Sequence, residues 1–323
     1  MKKKVYRVAI IGAGRIGAGF DEPHSRKILT HAHAFSANSR TEVVAFVDAN
    51  HSTGRREAKR WSASFFTDID RMFLDTKPDI VIIATPDNTH AVLLEKILHL
   101  HPSLIICEKP VVETPEEALH IKKVFRNSKI PTIVNYSRRF DTSFCEVREN
   151  IQKGVYGRVI SGSCLYDKSL IHNGSHLVDL ARFLFGEMNG YVCFPQGKTN
   201  GLNERVSAIA SFDRCQQFHI MTGDERFYTV GEFDILTEKA RLRFSNVTRD
   251  LLIQKVVDDK VFKGYRILGT PKKRKTGLFG TLPELARHSV AVLDCRELPR
   301  STVTDALKSY AACLTLAKGF KKR

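Results

Sequence analysis

A chain of 323 residues has room for two domains, each able to bury a core of its own. Its 42% apolar and 27% charged residues are those of a globular protein, and no run approaches the roughly 18–20 apolar residues that span a bilayer. The formal charge is +16, from 51 basic and 35 acidic residues. The cations are spread along the chain with no nucleic-acid-binding motif, which argues against a nucleic acid partner and suits an anionic substrate.

Val5 to Ile11 is an apolar run ending at Gly12, suited to a buried parallel strand. The basic start Met1–Lys4 precedes a run too short for a signal core, so the cytoplasm is the expected location. Further apolar runs come later: Glu42 to Val47 ending at Asp48, Asp79 to Ala84 ending at Thr85-Pro86, Leu104 to Cys107 ending at Glu108-Lys109-Pro110, and Thr132 to Val134 ending at Asn135. Helical patterns lie between them, at Thr53 to Ser62 and Thr89 to His99. Another opens at Thr114, with Thr114 as N-cap and Pro115 at the first helical position. Strand alternating with helix predicts a Rossmann-type, doubly wound parallel sheet whose ligand edge lies at the strands' carboxyl ends.

From about Gly157 the segments become short and alternating: 157–166, 190–195, 205–213, 216–222, 226–236 and 239–245. That pattern predicts a mostly antiparallel sheet in an α+β domain, with helices at 175–185, 282–295 and 303–319. The expected domains are 1–137 and 138–323, with the last helix free to pack on either. Lys272 to Lys275 follows Gly269 and Pro271 and reads as an exposed loop. The seven cysteines, at 107, 145, 164, 193, 215, 295 and 313, form no Cys-x-x-Cys pair, so reduced packing residues are expected and no metal.

Gly12-Ala13-Gly14-Arg15-Ile16-Gly17 fits the G-x-G-x-x-G fingerprint and directly follows the first strand. The first glycine permits a tight turn, the second lets a pyrophosphate approach, and the third allows close packing of helix on strand. The helix N-terminus then offers N–H groups and the positive end of its dipole to the phosphates. Asp48 closes the second strand, where an acidic residue accepts from ribose hydroxyls. It lies farther past Gly17 than the usual roughly 20 residues, because 18–30 reads as an insertion that delays the first helix to about His31. An acid there repels a 2′-phosphate and favours NAD, while Arg55 and Arg56 leave NADP open. Thr85, Pro86 and His90 are placed beside the nicotinamide half. Lys109, at a sheet edge, can stabilise an alkoxide or join proton transfer. His176 and Asp179 share a helical face, which suits a histidine general base more than a zinc site.

Together these residues resemble the glucose–fructose oxidoreductase, inositol dehydrogenase and rhizopine-catabolism family (Gfo/Idh/MocA). The resemblance runs over nearly the whole chain: the turn at 12–17, Asp48, Thr85-Pro86 with His90, Glu108-Lys109-Pro110, Arg138-Arg139-Phe140 and His176-Leu177-Val178-Asp179. It implies an NAD(P)-dependent oxidoreductase that moves hydride between nicotinamide and a secondary alcohol or ketone of a sugar-like, anionic or nucleotide-linked substrate. It implies catalysis by Lys109 and His176. Cofactor contacts would come from Gly12, Gly14, Arg15, Ile16, Gly17, Asp48, Thr85, Pro86, His90, Glu108 and Lys109. Substrate contacts would come from Lys109, Arg138, His172, Asn173, His176 and Asp179. An open-faced sheet would join a homodimer or homotetramer. Where many relatives carry an aspartate four residues before the catalytic histidine, this chain has His172, so that role does not transfer. Some relatives are regulators, so a non-catalytic dinucleotide sensor on the same scaffold is the alternative.

Overall fold

β1 (Tyr6–Ile11) is buried at every position but Arg7, as a strand covered on both faces must be. The computed structural model describes residues 3–194 and 205–319; Met1, Lys2 and the last residue of the expected 190–195 strand lie outside them. β1 is the centre of a six-stranded, wholly parallel sheet with β2 (Thr41–Val47), β3 (Ser64–Phe66), β4 (Ile80–Ile83), β5 (Leu104–Cys107) and β6 (Thr132–Val134). The order is β3-β2-β1-β4-β5-β6, so the chain reverses its winding between β1 and β4. That is the switch point at which open α/β sheets bind ligands.

The last rungs of the ladder run in one line. Gly12 N donates to Val47 O, Ala84 N to Ile11 O, Glu108 N to Ile83 O and Asn135 N to Cys107 O, each at 2.8–2.9 Å. This aligns the residues that end each strand along one edge. Around the sheet lie α1 (His31–Ser36), α2 (His51–Arg60), α3 (Ile69–Thr76), α4 (His90–His99) and α5 (Pro115–Phe125). α5 opens with a full capping box, Thr114 accepting from Glu117 N while the Glu117 carboxylate accepts from the Thr114 backbone.

The chain divides into two units: Met1–Phe140 with Phe279–Leu307, and Asp141–Leu278 with Lys308–Arg323. A single cut after residue 137 differs from this in the stretch 279–307. There α8 (Thr281–Leu293) sets Leu282, Leu285, Ala286 and Val290 into the same core cluster as Tyr6, Phe35 and Phe140. Polar ties finish the return, Tyr6 donating at 2.7 Å to Asp294 and Arg40 gripping the same carboxylate at 3.0 and 3.2 Å.

In the second unit, α6 (Thr142–Gln152), α7 (Ser175–Phe185) and the end of α9 (Val303–Lys318) supply apolar side chains to a core shared with a large sheet. Its strands are β7 (Val159–Tyr166), β8 (Met188–Phe194), β9 (Ser207–Phe212), β10 (Cys215–Thr222), β11 (Gly231–Thr237), β12 (Ala240–Ser245), β13 (Asp250–Asp258), β14 (Arg266–Leu268) and β15 (Lys272–Lys275). The order is β14-β13-β12-β11-β7-β10-β9-β8, with β15 also on β13; β7 and β10 pair in parallel and the other pairs are antiparallel. β11 alternates buried and less buried residues, placing Phe233 and Ile235 inside with Phe185 and Phe218.

The run Lys272–Lys275 is therefore an edge strand and not the expected loop. Backbone pairing to β13 holds it, and four exposed cations give no alternation for a sequence pattern to register. The cysteines are free. Burial pushes Cys215 up to about 11 and Cys313 to about 12, which keeps both as thiols at neutral pH. Among the described residues no helix is long and apolar enough to cross a membrane.

Candidate active site

The carboxyl ends of β1, β2 and β4 enclose a cleft of about 1040 Å³. Seven residues expected at a dinucleotide line it: Gly12, Gly14, Arg15, Ile16, Asp48, Thr85 and Pro86. Each glycine answers to a different constraint. Gly12 has φ +97°, and a Cβ there would sit 2.5 Å from Ala84 O. At Gly14 a Cβ would meet nothing within 4 Å, so the space before this backbone is open. Gly17 is buried behind the turn, where a Cβ would overlap Gly12 O. The Asp48 carboxylate braces the loop, accepting from Ala13 N and from Asn50 N, both at 2.8 Å. An ionised carboxylate has about four acceptor positions, so capacity remains for a diol. Phe20 and Val92 line the same cleft while 54% and 70% exposed, an apolar rim suited to a flat ring.

The helix behind the glycines departs from expectation. Only one helical turn, Arg15–Gly19, comes after the loop before the chain leaves it, and α1 starts at His31. So short a turn brings its first N–H groups to the cleft but only a small share of a helix dipole. The inserted residues fold around buried Asp21, whose carboxylate accepts from Thr30 Oγ1 at 2.5 Å and Leu29 N at 2.6 Å and meets His33 Nδ1 at 2.8 Å. His24, Arg26 and Lys27 are exposed, with Lys27 lying 4.8 Å over the Phe279 ring.

His90 is fully buried and is not a lining residue. Its Nδ1 lies 2.6 Å from Pro110 O and its Nε2 2.9 Å from Thr85 O, so it ties the Thr85-Pro86 turn to the Glu108-Lys109-Pro110 turn. The Lys109–Pro110 bond is cis. Glu108 receives the Asn135 amide at 2.7 Å and meets His31 Nε2 at 2.8 Å, both on Oε1. Burial alone would raise the Glu108 carboxyl. The His31 hydrogen bond and charge, the Asn135 amide and nearby Lys109 outweigh it and hold the group below the ordinary carboxylate range. Glu108 and Lys109 stand at the same strand-end edge without lining the cleft.

In the second unit, α7 begins at Ser175 and carries His176 half-buried on its first turn. His172 is exposed in the preceding turn, and Asn173 donates to buried Asp167 at 2.5 Å. Asp179 is 1% exposed, accepts from Ser309 of α9 at 2.6 Å and lies 3.8 Å from Arg182. The bond to Ser309 ties α7 to α9. Arg138 is half-buried in the turn after β6, and neighbouring Arg139 is buried against Asp305 at 3.3 Å.

A family model described as "Oxidoreductase family, NAD-binding Rossmann fold" matches residues 6–136. The matched model is that of the Gfo/Idh/MocA family. Among relatives, inositol 2-dehydrogenase of Rhizobium meliloti is 31% identical over 200 residues, 56% of this chain and 55% of its own. D-glucoside 3-dehydrogenase of Escherichia coli is 25% identical over 235 residues, 68% and 62% of the two chains. The chain thus spans little more than half the length of the curated relatives it matches. The solved structure of levoglucosan dehydrogenase with NADH and levoglucosan superposes with a TM-score of 0.79 at 17% identity, over 98% of this chain and 97% of that one. At that identity the likeness establishes the shared fold of both units.

Several cleft residues carry no signal in the sequence. Ile69, Val92 and Leu93 line it from the starts of α3 and α4, where they read as ordinary amphipathic-helix positions. Phe20 could have been found, since it is the first large apolar residue after the fingerprint.

Proposed function

We propose that this chain is an NAD-dependent dehydrogenase acting on a secondary hydroxyl of a sugar, glycoside or cyclitol. The observation that carries the reading is the convergence of Gly12, Gly14, Asp48 and Thr85 from three strand ends on one cleft with open space before Gly14. Bound NAD would supply the hydride acceptor. Gly14 admits the pyrophosphate, and the free acceptor positions of Asp48 take the ribose diol. Asp48 also disfavours a 2′-phosphate. Buried Glu57 accepts from Arg56 at 2.8 Å, which turns that one of the two candidate cations away from the role. Lys109 is assigned the role of stabilising the substrate oxygen as its proton leaves, and His176 that of accepting the proton. Arg138, His172 and Asn173 are assigned to substrate hydroxyl or anionic groups, with a nucleotide-linked sugar among the candidates. The relatives' names, inositol, D-glucoside and levoglucosan dehydrogenases, support the substrate class. A homodimer or homotetramer through the outer face of the second sheet, where Met221 and Leu236 are 43% and 39% exposed, completes the proposal.

The test is a binding titration with NADH and NADPH, together with assays in which inositols, glycosides, levoglucosan and nucleotide sugars are supplied with NAD+ or NADP+ and formation of the reduced nicotinamide is followed by its absorbance. NADH preferred by about tenfold or more, roughly 1.4 kcal/mol, with turnover of at least one polyol, is expected. Tight NADH binding with no turnover across the panel would overturn the enzymatic reading in favour of a sensor.

A further inference from the structure

The segment that carries Lys109 is held from both ends by buried histidines. On the Pro110 side, His90 Nδ1 reaches the Pro110 carbonyl at 2.6 Å. On the Glu108 side, His31 Nε2 and the Asn135 amide converge on one carboxylate oxygen at 2.8 and 2.7 Å. The His31 side chain is 0% exposed and that of Glu108 is 13% exposed, so water competes little for the pair.

His31 is the first residue of α1, and its aim is fixed by the inserted segment. Thr30, the N-cap, accepts from His33 N at 3.1 Å and donates to Asp21, whose other oxygen takes Leu29 N and meets His33. The insertion thus ends in a rigid knot that points one imidazole at the residue before Lys109. A buried carboxylate with two donors on one oxygen has few alternative rotamers, and charge-assisted hydrogen bonds of this kind are about twice as strong as neutral ones.

We propose that His31 is a positioning residue for Lys109: it pins the Glu108 carboxylate, and Glu108 in turn fixes the strand-end segment from which the lysine reaches the substrate oxygen. The proposal rests on the dehydrogenase reading for the consequence in turnover, but the clamp itself can be read without cofactor. His31 acts through Glu108 and touches no reacting atom.

Two variants separate positioning from simple support. His31→Leu fills the space without a donor; His31→Gln restores an N–H near the Nε2 position. Acylation of Lys109 in the unliganded protein is followed by peptide mass spectrometry, with Lys96, paired to Asp70 at 2.9 Å in the same unit, as internal reference. His31→Leu is expected to raise Lys109 labelling relative to Lys96 by about threefold or more, and His31→Gln to return it to the wild-type ratio. With a polyol that the wild type oxidises, His31→Leu lowers kcat by roughly ten- to a hundredfold while KM and the NADH Kd stay within about threefold. An unchanged labelling ratio in His31→Leu overturns the proposal. So does a Gln variant that labels like Leu and melts like it, because that pattern is loss of support alone. If the wild type turns over nothing, the dehydrogenase reading fails by itself, and the labelling ratio still decides the clamp.

Discussion

Replacing Gly14 by alanine separates what the glycine loop does for folding from what it does for binding. Gly14 has φ −70° and ψ −165°, a conformation any residue adopts, and a Cβ there meets nothing within 4 Å. Removing a glycine from the unfolded chain without native strain stabilises by about 0.4–1 kcal/mol. For a protein of this size that is a rise in Tm of roughly 0.6–1.5 °C. The same methyl occupies the space that a pyrophosphate needs, so NADH binding should weaken at least about tenfold, or roughly 1.4 kcal/mol. Gly17→Ala is the opposite case: its Cβ overlaps Gly12 O, and Gly12 cannot retreat because it already faces Ala84 O. Overpacking of this kind costs about 1–3 kcal/mol, so Tm should fall. Calorimetry gives the Tm values and nicotinamide fluorescence gives the Kd. A Gly14→Ala protein that binds NADH as tightly as wild type would refute the placement of the phosphates, and one that melts early would refute the open space.

Lys109→Ala should slow single-turnover hydride transfer by roughly 10²–10⁴-fold with little change in NADH Kd; near-normal transfer in stopped flow would remove the lysine from the mechanism. Glu297, paired by Arg287 at 2.8 Å and His288 at 2.7 Å, is held at about 2 against an ordinary 4.5, first by the Arg287 hydrogen bond. A depressed carboxyl stabilises above its unfolded value and loses that contribution as pH falls from about 4.5 through about 2. Glu297→Gln should therefore lower Tm at pH 6 and flatten its decline in acid, and an unchanged slope in calorimetry would contradict this. Phe144 is fully buried and stacks on Phe244 at 3.9 Å, so Phe144→Ala should cost about 3–5 kcal/mol in urea unfolding.

Much of the first sheet was legible because its strands obey a strong constraint. A strand covered on both faces reads as Val-Ala-Ile-Ile or Ile-Val-Ile-Ile, and the residues just past its carboxyl end sit at the ligand edge. The N-cap at Thr114 was legible through local hydrogen-bond chemistry, which needs no tertiary context. Other features were hidden for physical reasons. β3 has three residues and α3 has eight, too short for a period to rise above chance. The return of 279–307 to the first unit depends on which core accepts an apolar face, and both cores offer similar side chains. The bond between His31 and Glu108 joins residues 77 apart, and nothing local in either segment announces it. Asp179 read as a partner of His176 by helical spacing, and its bond to Ser309 of α9, 130 residues away, carried no local signal.

The cationic strand β15 has a bearing on how the molecule behaves in a crowded solution. A sheet border offers unsatisfied backbone groups to any other strand that drifts past, and like-charged borders cannot close the last few ångströms. Lys272, Lys273, Arg274 and Lys275 line that border, with Asp250 offsetting part of the charge through Lys273 and Lys275 at 3.1 and 2.6 Å and Glu146 through Arg274 at 2.7 Å. Two molecules meeting there repel each other before their main chains can zip together. Four adjacent positive side chains thus act as a guard against fibre-like stacking, and this limits which surfaces a second copy can use.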